Sequence, residues 1–283
     1  MEIKLDLSKH EAIPKLIHMT WKNKNILSHN SPIVVYGIRN IKKLNPEYEL
    51  VISEDKDIEK YLKQNLSFFN YLKIKHKKIV EKIDLWRLLK IYNEGGIYID
   101  FDRYCNKSFR DIINPDTKCV LPTFRNLDFS QDIMISCRNN PIYKKAIEYN
   151  LSGRSIFNYN NLFHLGPGVY MWAVTETVFG IRLDRNPGEE KIIECRELLE
   201  KSTHFQTYKE ETRNNFIFKE DNVISIRNQL KDRDLFYQNQ GVIHWTKNNN
   251  YSHVTFKVFF IIILFKIINN IYSIKKKKIQ KKI

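Results

Sequence analysis

The chain has 283 residues, 42% of them hydrophobic and 28% charged, which supplies apolar material for a sizeable core and excludes wholesale disorder. Its formal net charge is +15, but eight lysines and no acid fall in residues 254–283, so residues 1–253 carry +7, which is 15 less those eight. A body of that modest basicity suits a nucleoside diphosphate, an acidic glycan or an anionic membrane face, and no zinc-finger or RNP-like motif points to nucleic acid. The four cysteines, Cys105, Cys119, Cys137 and Cys195, show no CxxC or CxxH spacing and read as free thiols of a reducing compartment. The first twenty residues carry scattered charge and no apolar run, so a secretory signal is not expected.

In chain order, Lys15-Leu-Ile-His-Met19 reads as a short buried strand after Pro14. Ser31-Pro32 opens a helix, with Ser at the N-cap and Pro at the first helical position, and Asn45-Pro46 closes it. Tyr48 to Ile52 is a second strand, and Asp55 to Gln64 a second helix. This β-α-β-α opening predicts a mostly parallel sheet flanked by helices. Ile79, Ile83, Trp86, Leu89, Lys90 and Tyr92 keep a helical rhythm that Gly95-Gly96 stops, and Ile97-Tyr98-Ile99 is a short strand. The two glycines allow a tight helix-to-strand reversal and close approach of backbone to a ligand. Cys119 to Leu121 and Ile133 to Ser136 are further strands, Pro141 to Leu151 a helix, and Gly166-Pro167-Gly168 the start of another reaching Phe179. Arg182 to Asn222 is polar and gives no clear pattern; Gly241-Val-Ile-His-Trp245 reads as a late strand.

The chemistry concentrates between Ile83 and Arg103. Asp100 and Asp102 stand one residue apart at the carboxyl end of a strand, where α/β sheets bind ligands. Residues i and i+2 of a strand point to one side, so both carboxylates reach one hard cation such as Mg²⁺ or Mn²⁺, which shares oxygen ligands with substrate phosphates. An ordinary acidic turn has the same spacing. Asp84 and Arg87 lie three apart on one face of the preceding helix. They are either a surface ion pair worth a few tenths of a kcal/mol, or a carboxylate and a guanidinium fork aimed at sugar hydroxyls and phosphate oxygens.

The run Asp84-Leu-Trp-Arg-Leu-Leu-Lys-Ile-Tyr-Asn-Glu-Gly-Gly-Ile-Tyr-Ile-Asp-Phe-Asp102 resembles the signature of the DxD-containing sugar transferases of glycosyltransferase family 32, and the clostridial glucosylating toxins share its layout. Ile13-Pro-Lys-Leu-Ile-His-Met-Thr-Trp21 resembles the family's opening strand, and Gly166-Pro-Gly-Val169 its Gly-Pro-Gly helix start. The resemblance covers roughly residues 13–180, with a weaker echo at 241–251. It implies a nucleotide-sugar-binding α/β fold of the GT-A type and metal-dependent transfer of a hexose from a UDP- or GDP-sugar, with retention, to a glycan or glycolipid acceptor. Asp100 and Asp102 would hold Mn²⁺ or Mg²⁺ and the diphosphate. Asp84 and Arg87 would position the donor sugar, Tyr98 would lie near the donor, and Trp21 would stack on the base. Two stretches depart from the pattern. Gln131-Asp132-Ile133-Met134 stands where the family often has Asn-Asp before an apolar pair; Asp132 is either a strand-edge acid or a polar group facing the acceptor. His244-Trp245-Thr246 stands where a His-rich stretch is usual; His244 is either structural or a completing metal ligand.

Residues 254–283 form a separate unit behind a transferase domain at 1–253. Val258 to Phe265 is eight apolar residues between Lys257 and Lys266, and Lys275 to Lys278, Lys281 and Lys282 follow. Lys266 lies near the middle of the apolar stretch, which favours an interfacial amphipathic helix with a polybasic patch over a membrane-spanning helix or a protein-docking one. The expectation is a transferase at the cytoplasmic side of a membrane, anchored or peripheral, engaged in surface polysaccharide synthesis; the alternative is a catalytically degenerate sugar-nucleotide-binding module at a membrane.

Overall fold

A computed structural model describes residues 2–31, 33–103, 105, 107–124, 128–129, 131–153, 166–181, 189–208 and 235–241. Within them, β1 (Leu16–Thr20) leads through a π-helical segment (Ile33–Arg39) and α1 (Asn40–Leu44) to β2 (Glu49–Ser53). Then come α2 (Asp55–Asn65), α3 (Phe68–Ile74), α4 (Ile79–Glu94) and β3 (Gly96–Ile99). The second half runs α5 (Phe109–Ile112), β4 (Cys119–Phe124), β5 (Asp128–Phe129), β6 (Ile133–Ser136), α6 (Pro141–Gly153), α7 (Pro167–Phe179), α8 (Glu189–Glu200) and β7 (Phe205–Tyr208). The expected strand at 241–245, His244 and the apolar basic segment 254–283 lie outside the described residues, apart from Gly241. No helix among the described residues is long and apolar enough to cross a membrane.

The strands form one sheet in the order β2-β1-β3-β6-β4-β5, with β7 on the other side of β4. The sheet is mixed, not mostly parallel: β1 runs parallel to β2 and β3, and β4 to β7, whereas β6 is antiparallel to both β3 and β4, and β5 to β4. Connection length explains this. Parallel neighbours need a crossover of a dozen or more residues. The helical segments between β1 and β3 supply it, but only eight residues separate Phe124 from Ile133, too few for a crossover.

Two cores cover the two faces. Tyr98, Cys119, Leu121 and Met134 pack with α4, α6, α7 and α8, while Ile17, Met19, Ile97, Ile99, Ile133 and Ile135 pack with the π-helical segment, α1 and α5. The crossover from β1 to β2 therefore lies on one face and the crossover from β2 to β3 on the other. That change of face between β1 and β3 is a topological switch point, the place where open α/β sheets take ligands at the strand carboxyl ends.

Helix α4 links the core to that switch point. It contains no Gly or Pro, Glu81 accepts from the Lys78 backbone N–H at its start (3.1 Å), and Gly95 at φ 65° ends it. Glu81, Asp84, Leu85, Trp86, Arg87, Leu88, Leu89 and Ile91 are all buried, so Asp84 and Arg87 are not a surface pair. Gly96 has φ 91°, and a Cβ there would stand 2.6 Å from the Leu16 carbonyl oxygen. The glycine pair thus serves the reversal and the close approach of β3 to β1, at the strand end away from Asp100. The expected approach to a ligand is made instead against a neighbouring strand.

Candidate active site

The carboxyl end of β3 and the amino end of β6 bring together Asp100 and Asp132, and the carboxyl end of β1 leads into Trp21. Because β6 is antiparallel to β3, with Ile99 opposite Ile133, the residues before β6 meet those after β3. The Asp100 backbone N–H donates to the Asp132 carbonyl (2.8 Å), which fixes that meeting. Side-chain alternation sends Tyr98 and Asp100 to the α4 face and Phe101 to the other. On the α4 face the Tyr98 hydroxyl donates to Asp100 Oδ1 at 2.6 Å.

Arg87 ties the cluster together. One guanidinium nitrogen donates to Asp84 Oδ1; the other reaches Asp100 Oδ1 (3.3 Å) and the Gln131 carbonyl (3.1 Å), and Cζ lies 5.5 Å from the Tyr98 ring centroid. Asp132 is paired with Arg103 Nε at 2.7 Å. Among the described residues, then, four carboxylates, Asp84, Asp100, Asp102 and Asp132, stand with two guanidiniums.

The electrostatics follow from that imbalance. Burial, aided by Asp102 and Asp132, pushes the Asp100 carboxyl up to about 7, against the opposing pull of Arg87 and Tyr98. Burial works against the charge on Arg87, yet Asp84, Tyr98 and Asp100 outweigh it and hold the proton more tightly than usual. Arg103 shifts the same way, with Asp132, Asp102 and Asp100 overriding burial. The Tyr98 hydroxyl is raised by burial and by Asp100, so it stays a neutral donor.

These residues fit a divalent cation. The donors are carboxylate oxygens, the kind hard ions take, and a local surplus of negative charge is what such an ion offsets. Among the described residues no three His, Cys, Asp or Glu side chains are grouped to hold a metal alone. Asp100 and Asp102 would be its protein ligands, with the rest of the shell from phosphate and water.

Trp21 is 7% exposed and stacks on Phe101 with centroids 4.0 Å apart and planes 22° apart. Phe236 and Tyr237, on a short helix over residues 235–239, lie 5.3 and 5.4 Å from it. Of the seven expected site residues that are described, Asp84, Arg87, Tyr98, Asp100, Asp102 and Asp132 gather on or beside the α4 side, whereas Trp21 sits in the aromatic group across the sheet. The sequence reading missed Arg103, Gln131 and Phe101. Each is adjacent to a residue that was singled out, and that adjacency was the available signal. Gln131 is 1% exposed, and neither its carboxamide oxygen nor nitrogen has a hydrogen-bond partner.

Residues 32–120 match the family described as a glycosyltransferase sugar-binding region containing a DXD motif. Inositol phosphoceramide mannosyltransferase 1 of Schizosaccharomyces pombe is 27% identical over 145 residues, 50% of this chain and 44% of that protein. Mannosyl phosphorylinositol ceramide synthase SUR1 of Saccharomyces cerevisiae is 27% identical over 144 residues, 50% of this chain and 35% of that protein. The matches therefore span less than half the length of these relatives. Among solved structures, the PaToxG glycosyltransferase aligns with a TM-score of 0.47 and 22% identity, covering 67% of this chain and 75% of that one.

Proposed function

We infer, from a chain whose residues 32–120 match a glycosyltransferase sugar-binding region containing a DXD motif, an enzyme that moves a hexose from a nucleoside-diphosphate sugar to an acceptor hydroxyl. Support comes from the convergence of Asp84, Arg87, Asp100, Asp102 and Asp132 at the switch point of the sheet, and that convergence carries the reading. The fold is taken as GT-A-like, with retention of configuration as in the resembling family. The names of the two yeast relatives favour a glycolipid acceptor, and the basic apolar segment 254–283 favours a site of action at the cytoplasmic face of a membrane. Surface polysaccharide synthesis is the other acceptor setting.

In this reading Asp84 accepts hydrogen bonds from sugar hydroxyls while Arg87, held by Asp84 and Asp100, presents a fixed guanidinium to the donor. Arg87 and Arg103 meet charge growing on the departing phosphate with dipoles and charges already in place. A cation on Asp100 and Asp102, Mn²⁺ or Mg²⁺, supplies Lewis-acid stabilisation of the same leaving group when bound. Tyr98 keeps Asp100 oriented. Asp132 faces the acceptor side, and His244 remains a proposed completing ligand. Trp21 is the aromatic platform for the base, which requires Phe236 or Tyr237 to yield.

The test is turnover of UDP- and GDP-sugars with Mn²⁺, followed as donor hydrolysis or transfer. Turnover that Asp102→Asn abolishes supports the reading. Metal-dependent thermal stabilisation by a nucleotide sugar without turnover of any donor would fit the degenerate binding module instead. Deleting residues 254–283 is expected to release the protein from membranes and leave soluble donor hydrolysis measurable.

A further inference from the structure

A second surface lies on α3 and the start of α4. Between Lys60 and Val80 the chain has six lysines and no acid. Helix α3 begins in this stretch, with Ser67 Oγ accepting from the Asn70 backbone N–H. Its first two residues, Phe68 and Phe69, are 62% and 41% exposed, with rings edge to face at 5.7 Å. Ile79, the first residue of α4, is 38% exposed. Lys63, Lys75 and His76 of the same stretch are also exposed. The acids that flank the stretch are already engaged, Glu59 by Lys82 at 2.5 Å and Glu81 by Lys77 at 3.7 Å. The stretch therefore exposes large apolar side chains together with positive charge.

We propose that Phe68, Phe69 and Ile79, with Lys63 and Lys75 of the same stretch, form a docking surface for an anionic lipid bilayer. Apolar side chains exposed to this degree have surface to place in the boundary between headgroups and acyl chains. The lysines add attraction to anionic headgroups. Single-stranded nucleic acid would also meet aromatic rings and lysines, but along a groove that tracks its backbone; an aliphatic Ile79 together with exposed rings matches lipid better. The position has a consequence for the site. Asp84 lies five residues into α4 from Ile79, about 7.5 Å along the axis. Docking through this end of α4 holds the cluster near the headgroup layer, within reach of a lipid-borne acceptor. The surface stands whether or not a sugar donor is turned over.

The experiment places a fluorophore at the surface in the full chain. Phe68→Cys is labelled with an environment-sensitive dye; the native Cys105, Cys119, Cys137 and Cys195 are all buried, so labelling is directed to position 68. Phosphatidylcholine vesicles with about 30% phosphatidylserine are expected to blue-shift the dye and raise its emission about twofold or more, and vesicles without the anionic lipid to do so far less. Lys63→Gln with Lys75→Gln should weaken half-saturation by about fivefold per lysine removed. A Phe69→Cys label, checked by circular dichroism, repeats the measurement where the first variant folds poorly. The proposal is overturned if the protein sediments with anionic vesicles while the dye stays unchanged, since another surface then holds the membrane. It is equally overturned if the dye is shielded without vesicles, responds only to raised protein concentration, or responds to a single-stranded oligonucleotide instead of lipid.

Discussion

Helix α4 carries acids and bases in two neighbourhoods that are balanced differently. Around its first turn and along its outer side each carboxylate has a lysine of its own: Glu81 with Lys77, Glu59 with Lys82, Glu94 with Lys90. One turn further in, Asp84 shares Arg87 with Asp100, and Asp132 shares Arg103 with the field of Asp102 and Asp100. Both are mostly buried; the first is neutral pair by pair, and the second, among the described residues, has more carboxylates than guanidiniums. Burial without neutrality destabilises a fold, so the second neighbourhood is costly in the absence of a bound cation. The same shortage makes it ready to take one. Charge balance among the described residues, not residue type, is what sets the candidate site apart from the paired neighbourhood on the same helix.

That contrast can be broken from either side. The largest effect is expected for Arg87→Ala, which leaves Asp84 buried without its guanidinium and should cost about 3–5 kcal/mol in chemical denaturation, with loss of donor turnover. Next, Asp102→Asn should leave the fold intact and lower turnover on the order of 10²–10³-fold, read as initial rate at saturating metal. Asp100 supplies a pH test. Its folded pKa of about 7 lies above the ordinary 3.8, so the folded chain holds this proton more tightly than the unfolded chain. Its contribution to stability is fully present below 3.8 and is lost as pH rises to about 7. The side chain is 32% exposed, which reduces the effect. Asp100→Asn should therefore raise the melting temperature of the metal-free protein by about 2–4 °C at pH 8, with little change at pH 4, while abolishing turnover. Saturating Mn²⁺ should favour the unsubstituted protein instead. The smallest effect is expected for Lys82→Met in the balanced neighbourhood: under about 1 kcal/mol of stability by denaturant titration, with turnover unchanged.

The sequence and the fold agree most closely where the pattern is local. The end of α4 at Gly95, the strand at 97–99 and the helix at 141–151 are set by period and by glycine, and the structure places them within a residue or two. The helices over 68–74 and 109–112, and α8 with β7 inside the unreadable 182–222, were missed. β7 exists because Phe205 to Tyr208 pair with β4, a long-range contact that no local window contains.

The site divides the same way. Asp84, Arg87, Asp100 and Asp102 were legible because three-residue and two-residue spacings put side chains on one face of a helix or strand whatever surrounds them. Three things depended on the tertiary structure: that the stretch of α4 carrying Asp84 and Arg87 is buried, that β6 runs antiparallel and delivers Asp132 and Arg87's carbonyl partner Gln131 to the end of β3, and that Trp21 faces Phe101 across the sheet from the carboxylates. Spacing along one element is fixed by backbone geometry, so composition and order determine it. Burial, strand direction and charge balance arise between elements distant in the chain, and only the packed molecule decides them.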